Sequence, residues 1–303
     1  MLLSKRFVLQ CLSAVGLGER RCLCCGEPSK VQHFFLKGVA FDLALCDLCR
    51  SLLPCFHDFF EYELNGSDWC LTEKNIKPEK YDAKKNCASC FLPFFNNEHA
   101  MFSDGEEYKC LYCITKNTCW RDIYCYGEYT KTLRNLLLSA KFSNNLSALH
   151  LVGLLLAEAV LIKHQHKFGD KKFDWDFITA VPLHPKRLQK RGFNQSLELA
   201  KQLGKLFKLP VEQKALKRIV FTTPQAGLSQ KQRRLNLVGS IQAGTLTSKK
   251  FINNFQGLTV LLVDDIFTTG TTLEHSAKAL LEAGVKAVDI AVVAKTSMLS
   301  VKP

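Results

Sequence analysis

Two adjacent carboxylates, Asp264 and Asp265, precede Ile266, Phe267 and a run of small residues, Thr268-Thr269-Gly270-Thr271-Thr272. Small hydroxyl residues and a glycine at the start of a helix leave backbone N–H groups free, and these groups together with the helix dipole bind a phosphate dianion. Two acids just ahead of such a loop suit the hydroxyls of a ribose attached to that phosphate. Acids and threonines also cap helices, but capping gives no reason to set two like charges side by side at a strand end. The segment therefore reads as a sugar-phosphate site.

A second candidate lies upstream, where Lys186, Arg187, Lys190 and Arg191 put four cations within six residues, after Pro182-Leu183-His184-Pro185 and before Gly192-Phe193-Asn194-Gln195. Such a run is a clamp for anions if its position brings it to the same edge as the acids. The stretch Thr222 to Asn236, with Gln225, Lys231, Arg233 and Arg234, is also basic and has few apolar anchors. It reads as a mobile lid.

A third set of residues points to metal. Eight of the 14 cysteines form four Cys-x-x-Cys doublets: Cys22/Cys25, Cys46/Cys49, Cys87/Cys90 and Cys110/Cys113. Two residues between sulfurs let a tight turn present both thiolates to one ion, and two such turns complete a tetrahedral zinc site. The first two doublets are 20 residues apart and the last two 19, which fits two successive zinc ribbons. All-cysteine sites leave no open coordination position, so the expected zinc is structural. Pairing stays open, because Cys24 can replace Cys22 or Cys25, the doublets can interleave, and His33, His57 and His99 lie between them. Cys11, Cys55, Cys70, Cys119 and Cys125 are most simply small apolar residues.

The elements that must position these groups are legible from periodicity. Leu258 to Val263 is an apolar run rich in branched residues, as in a strand buried on both faces of a parallel sheet, and Leu273, Ala277, Leu280 and Leu281 then repeat at helical spacing until Gly284. Strand, loop and helix follow in order. Phe177 to Val181 reads as another buried strand running into the basic cluster, which is expected in a loop at the strand's carboxyl end, where α/β folds place ligands. Asn194 opens a helix through Leu197, Ala200, Leu203 and Phe207. Leu146 to Ile162 is apolar but contains His150 and Glu158 and falls short of the roughly 20 residues that span a bilayer, so it reads as a buried helix rather than a membrane span.

Charge divides the chain. Residues 1 to 130 carry 15 Lys+Arg against 17 Asp+Glu, a balance of −2, while residues 131 to 303 carry 26 against 11, a balance of +15. Attraction for phosphate-rich partners therefore resides in the C-terminal part. The N-terminal Met1 to Gly18 has Lys5 and Arg6 before an apolar stretch, yet Gln10 and Ser13 interrupt it. A short amphipathic helix is expected there, because the cysteine pattern needs a reducing, cytoplasmic compartment.

At VLLVDDIFTTGTT the chain resembles the 5-phosphoribosyl-1-pyrophosphate (PRPP) motif of type I phosphoribosyltransferases. That resemblance implies that Asp264 and Asp265 hold the ribose 2′- and 3′-hydroxyls while Thr268 to Thr272 hold the 5′-phosphate. Thr271 stands where many members carry a smaller residue, a departure that would tighten the loop. Taken with the cysteine doublets, Tyr126-Gly127, Lys141-Phe142, Val181-Pro182-Leu183, Arg191 to Ser196 and Gln225 to Asn236, the whole chain resembles the ComF competence proteins. The resemblance implies a double zinc ribbon over residues 1–125 and, over 126–303, a type I phosphoribosyltransferase domain, a parallel sheet flanked by helices. It also implies a cytoplasmic protein that acts on incoming single-stranded DNA during natural transformation, with helicase and recombination-mediator partners. Mg²⁺ would accompany PRPP, and Arg187, Arg191, Lys231, Arg233 and Arg234 would serve pyrophosphate or DNA. Three functions fit: DNA uptake on a PRPP-binding fold, an active transferase to an unidentified small acceptor, and a PRPP-sensing regulator. The first is favoured because +15 exceeds what one PRPP pocket needs, while DNA binding scales with the phosphates contacted. Phe142, Phe193 and Phe221 are candidates to stack exposed bases.

Overall fold

The computed structural model describes Cys22, residues 32–36, 39–43 and 69–71, Cys87, and residues 100–102, 108–110, 118–142, 145–219, 240–251 and 254–296. In the N-terminal part, β1 (Gln32–Leu36) pairs antiparallel with β2 (Val39–Leu43) and parallel with β3 (Trp69–Leu71), and β4 (Ala100–Phe102) pairs antiparallel with β5 (Tyr108–Cys110). The first hairpin lies between the first two cysteine doublets and the second between the last two. Of the eight doublet cysteines, Cys22 and Cys87 are buried and Cys110 ends β5. Cys25, Cys46, Cys49, Cys90 and Cys113 lie outside the described residues, as do the N-terminal amphipathic helix and most of the chain around the doublets.

The C-terminal part is built on a four-stranded sheet in the order β6 (Asp122–Glu128), β11 (Ala287–Lys295), β10 (Thr259–Phe267) and β7 (Phe177–Ala180), with all neighbours parallel. β6 runs across residues 125 and 126, where the sequence places the division between the two halves. Continuous apolar runs suit strands covered on both faces, and Val260, Leu261, Leu262 and Val263 are all fully buried. Alternation along β10 assigns them to two layers. Leu261 and Val263 join Ala291 and Val293 beneath α1 (Lys131–Phe142), α2 (Leu146–Phe168) and α4 (Gln195–Phe207). Val260 and Leu262 join Ile290 and Val292 on the other side, beneath α5 (Thr271–Glu282) and the antiparallel β8 (Leu216–Arg218) and β9 (Ile241–Ala243). Cys125 is a buried member of this second layer, in keeping with its reading as a small apolar residue.

α2 is the buried helix that the sequence suggests, but it is longer than the apolar run. It begins at the Asn145 cap, whose side chain accepts from the Ala148 N–H at 3.0 Å, and continues 23 residues to Phe168. Its segment Leu146–Gln165 has the length and mean hydropathy, 1.8, of a membrane crossing. Leu151, Leu154, Leu155 and Val160 are nevertheless all buried inside the fold, so this apolar surface is spent on the sheet and on α1 and α4.

At the amino edge of the sheet the strands begin in acids that are matched by cations. Lys163 of α2 donates to Asp122 and to the Ile123 carbonyl, and Lys167 donates to the other Asp122 oxygen at 3.1 Å. Arg121 forks between Asp289 and Asp174, and the Trp175 indole N–H donates to Asp289 at 2.7 Å. Burial pushes the Asp122 carboxyl up, but the two ammonium groups outweigh it and hold the acid below its usual range. Arg121 does the same for Asp174 through its hydrogen bonds.

Candidate functional site

The acid pair belongs to β10 rather than following it, since the strand continues through Asp264, Asp265, Ile266 and Phe267. Pairing with β11 carries it, with Asp264 opposite Val292 and Phe267 opposite Lys295. Adjacent residues of a strand point to opposite faces, so the two carboxylates take different partners. The Ser196 hydroxyl, in the first turn of α4, donates to Asp264 Oδ1 at 2.8 Å, and the Asp265 backbone N–H donates to the same oxygen at 2.9 Å. Lys141, in the last turn of α1, donates from Nζ to Asp265 Oδ2 at 2.9 Å. The protein packed around Asp264, and then the charge of Asp265, push its carboxyl up to about 7, against the pull of Ser196, the Asp265 amide and Lys141. This acid can therefore change protonation near neutral pH.

The loop after β10 turns into α5 at a glycine. Gly270 adopts φ +71° and caps α5 without a side chain of its own, and the Thr271 N–H of the first turn donates to the Thr269 hydroxyl at 3.5 Å. A Cβ at Gly270 would lie 2.6 Å from Phe267 Cζ, so glycine is required both by the backbone angle and by the ring. The Phe267 ring is in turn covered by Lys295, whose Nζ lies 4.6 Å from its centroid. Thr271 is buried and its hydroxyl shares a 2.8 Å hydrogen bond with that of Thr269, so the larger residue here fastens the loop to itself. Thr268 is exposed at the mouth.

The basic cluster follows the carboxyl end of β7 as expected, but it is a short helix, α3 (Pro185–Arg191), and not a loop. Its ends explain why. The His184 ring accepts from the Lys186 N–H at 3.1 Å, Pro185 occupies the first turn, and Gly192 closes the helix in the left-handed conformation. Asn194 then caps α4, and its side chain donates to the Val181 carbonyl at 3.0 Å, tying the strand end to the next helix. Phe193 is half-buried and packs against the buried layer beneath α4. Lys231, Arg233, Arg234 and Phe221 lie outside the described residues, and so does the Phe142 side chain.

One cation at this edge has no counterpart in the sequence reading. Arg218, the last residue of β8, is only 8% exposed. Burial, and then the charge of Arg187, lower its guanidinium to about 10, while Asp264 pulls the other way. Arg187 is lowered by burial and then by Arg191. His184 is lowered by desolvation and then by the charges of Arg218, Lys186 and Arg187. The structure thus gathers Arg187, Arg191 and Arg218 into one positive cluster beside the acid pair, with the His184 ring held toward its neutral form among them. The signal for Arg218 is the inside-outside alternation of Leu216, Lys217 and Arg218, which sends the arginine inward with the leucine. Ser196 and Lys141 are visible in the sequence only as parts of family motifs, with no role attached.

The phosphoribosyl transferase domain family matches residues 191–299, which run from the end of α3 past β11. Competence protein F of Haemophilus influenzae is 33% identical over 184 residues, covering 60% of this chain and 76% of its own. The DNA utilization protein YhgH of Escherichia coli K12 is 27% identical over 246 residues, covering 81% of this chain and 94% of its own. Competence protein ComFC of Bacillus subtilis is 30% identical over 117 residues, 39% of this chain and 42% of its own. Among solved structures, a purine phosphoribosyltransferase from Pyrococcus horikoshii aligns over 51% of this chain and 78% of its own, at 19% identity and a TM-score of 0.29.

Proposed function

This chain belongs to the competence protein F family, and on that ground we propose that it binds PRPP at the carboxyl edge of its sheet and handles incoming single-stranded DNA in natural transformation. The observation that carries the reading is the meeting, at one edge, of an acid pair, a glycine-capped threonine loop and a cluster of cations. In this reading the Thr268–Thr272 loop and the α5 N-terminus take the 5-phosphate, Asp264 and Asp265 take the ribose hydroxyls, and Arg187 and Arg191 face the pyrophosphate. Lys231, Arg233 and Arg234, which lie outside the described residues, serve pyrophosphate or DNA as well in this reading. Mutual repulsion within the arginine cluster is relieved by a polyanion. A donor set of carboxylate and ligand oxygens suits the hard divalent Mg²⁺, which would travel with the pyrophosphate and neutralise part of its charge. A DNA role draws support from the names of the relatives and from the +15 balance of residues 131 to 303.

A second reading is an active phosphoribosyltransferase, and Asp264 favours it. A carboxyl near 7 beside the ribose can take a proton from an acceptor as the bond to C1 forms and pyrophosphate leaves. Titrating PRPP and single-stranded DNA against the same sample, with a screen for pyrophosphate release, separates the two. DNA binding without release, weakened by Arg187→Ala, supports the first; release with parental DNA affinity in that variant supports the second.

For the N-terminal part we propose two structural zinc ions, held by Cys22, Cys25, Cys46, Cys49, Cys87, Cys90, Cys110 and Cys113, within residues 1–125. The support is the doublet spacing and the two hairpins that fall between the members of each doublet pair. Four thiolates match the soft-ligand preference of zinc and argue for the reducing cytoplasm. Metal analysis of the purified chain should find close to two zinc ions, and a chelated sample with an unchanged circular dichroism spectrum and melting curve would overturn the assignment. The partners in this reading are single-stranded DNA and competence helicase and recombination-mediator proteins.

A further inference from the structure

Asp265 is already engaged at the carboxyl edge. The Lys141 ammonium lies 2.9 Å from its Oδ2, and the two side chains are only 19% and 15% exposed. A ribose diol that hydrogen-bonds Asp265 competes for this same carboxylate. Lysine offers three donors and no acceptor, and an ammonium kept in a partly buried pocket needs an anion. A diol supplies none. The substituent at C1, on the carbon next to the 2-hydroxyl, supplies one when it is pyrophosphate and none when it is a free hydroxyl.

We propose that Lys141 is a specificity-determining residue: it passes from Asp265 to the anionic group on the ribose C1, so the site selects sugar phosphates charged at C1 over ribose 5-phosphate. The inference rests on the sugar-phosphate reading above. Three features of the structure support it. The helix that carries Lys141 is fixed, because Leu133, Leu136, Leu137 and Ala140 bury its other face in the core. The ammonium rides on a flexible four-carbon stem, so it can change partners while α1 stays in place. The remaining groups around the acids hold other positions: Ser196 and the Asp265 amide are bound to Asp264 Oδ1, and the charge of Arg218 bears on Asp264 and on Arg187 of α3. Lys141 is therefore the cation whose present partner is the carboxylate that the diol needs.

Ribose 5-phosphate is the discriminating probe, because it presents the same diol and the same 5-phosphate as PRPP without the charge at C1. Calorimetric titration of the full chain with both ligands, in Mg²⁺ buffer, should show PRPP bound more tightly. Lys141→Gln should cut the preference for PRPP by about tenfold or more, the scale of one charge-assisted contact. Ribose 5-phosphate should bind that variant as well as or better than the parent, since its diol no longer competes with the ammonium. Lys141→Arg should keep the preference. Asp265→Asn, which frees Lys141 without removing it, should raise the preference and stands as the independent test if Lys141→Gln does not fold. A lysine that is only a structural counter-ion would change both affinities by the same factor in every variant, and that result overturns the proposal. A parent protein that binds both ligands equally overturns it while leaving the sugar-phosphate reading intact. One that binds neither takes both down.

Discussion

At the amino edge of the sheet Asp122 lies between Lys163 and Lys167, and Asp289 is held by Arg121 and the Trp175 indole. Five residues along β10 from Thr259, at the carboxyl edge, Asp264 lies beside a second carboxylate and shares the edge with Arg218, Arg187 and Arg191. Both edges desolvate acids and cations alike. At one, the charges are matched pair by pair and the Asp122 and Asp174 carboxyls fall below their usual range. At the other, the acids crowd each other, the cations crowd each other, and the Asp264 carboxyl rises to about 7. Opposite charges that depress the acids mark a structural edge, while like charges crowded together and an acid raised toward neutrality mark an edge suited to a ligand. PRPP brings hydroxyls for the acids and phosphates for the cations.

The largest expected effect comes from unbalancing the structural edge. Lys163→Met removes one partner of a buried ion pair and should cost about 3–5 kcal/mol in urea unfolding, with PRPP affinity unchanged. The loss should shrink on acidification. Asp122 has a depressed carboxyl, so its contribution is present above the unfolded value near 4 and disappears as pH falls through the lower folded value. A Lys163→Met protein whose stability matches the parent's at pH 7 would remove the contrast between the edges.

The functional edge should answer with the opposite sign. The Asp264 carboxyl is raised, so between about pH 4 and pH 7 the folded chain holds a proton that the unfolded chain has released, and stability falls as pH rises through that window. Asp264→Asn abolishes this fall and should make the fold more stable at pH 8 by roughly 1–3 kcal/mol, allowing for solvent at a part-buried group. The same change should weaken PRPP binding, and Asp265→Asn should weaken it too, by about 1–3 kcal/mol each in a calorimetric titration containing Mg²⁺. If Asp264→Asn loses stability at pH 8, this acid is structural like those of the other edge.

The smallest expected effect tests the separation of the two edges. In the ladder Asp122 lies level with Asp289 and Leu261, three residues or about 10 Å along the strand and two strands across from Asp264, so the Lys163→Met and Asp264→Asn stability changes should add within about 0.5 kcal/mol in the double variant. A larger coupling would mean that the sheet transmits charge effects from end to end.

Much of this was legible before any coordinates. The branched apolar run Leu258 to Val263, the helical repeat from Leu273 and the Asn194 cap are local signals, and local signals are what a sequence displays. β10 extends through Asp264 and Asp265 because its ladder with β11 continues past the end of the β7 pairing at Val263 and overrides the low strand preference of aspartate, and such a ladder is non-local. α3 was hidden for a related reason. Lys186 and Lys190, like Arg187 and Arg191, are like-charge pairs four apart, which disfavour a helix in isolation, and only the caps at His184 and Gly192 define it. Arg218 was invisible because its significance depends on Asp264 and Arg187, 46 and 31 residues away in the chain.

The continuation of β10 through the acids also governs how this site can change over evolutionary time. Side chains in a paired strand alternate strictly, so inserting or deleting one residue between Val263 and Phe267 would turn every following side chain to the other face. Asp265 would leave Lys141, and Phe267 would withdraw from Gly270 and Lys295 together. Single replacements, by contrast, leave the alternation untouched. The site is thus free to vary in composition but not in length, and descendants that acquire a new ligand should do so by substitution here and by insertion elsewhere, in the loops beyond the strand ends.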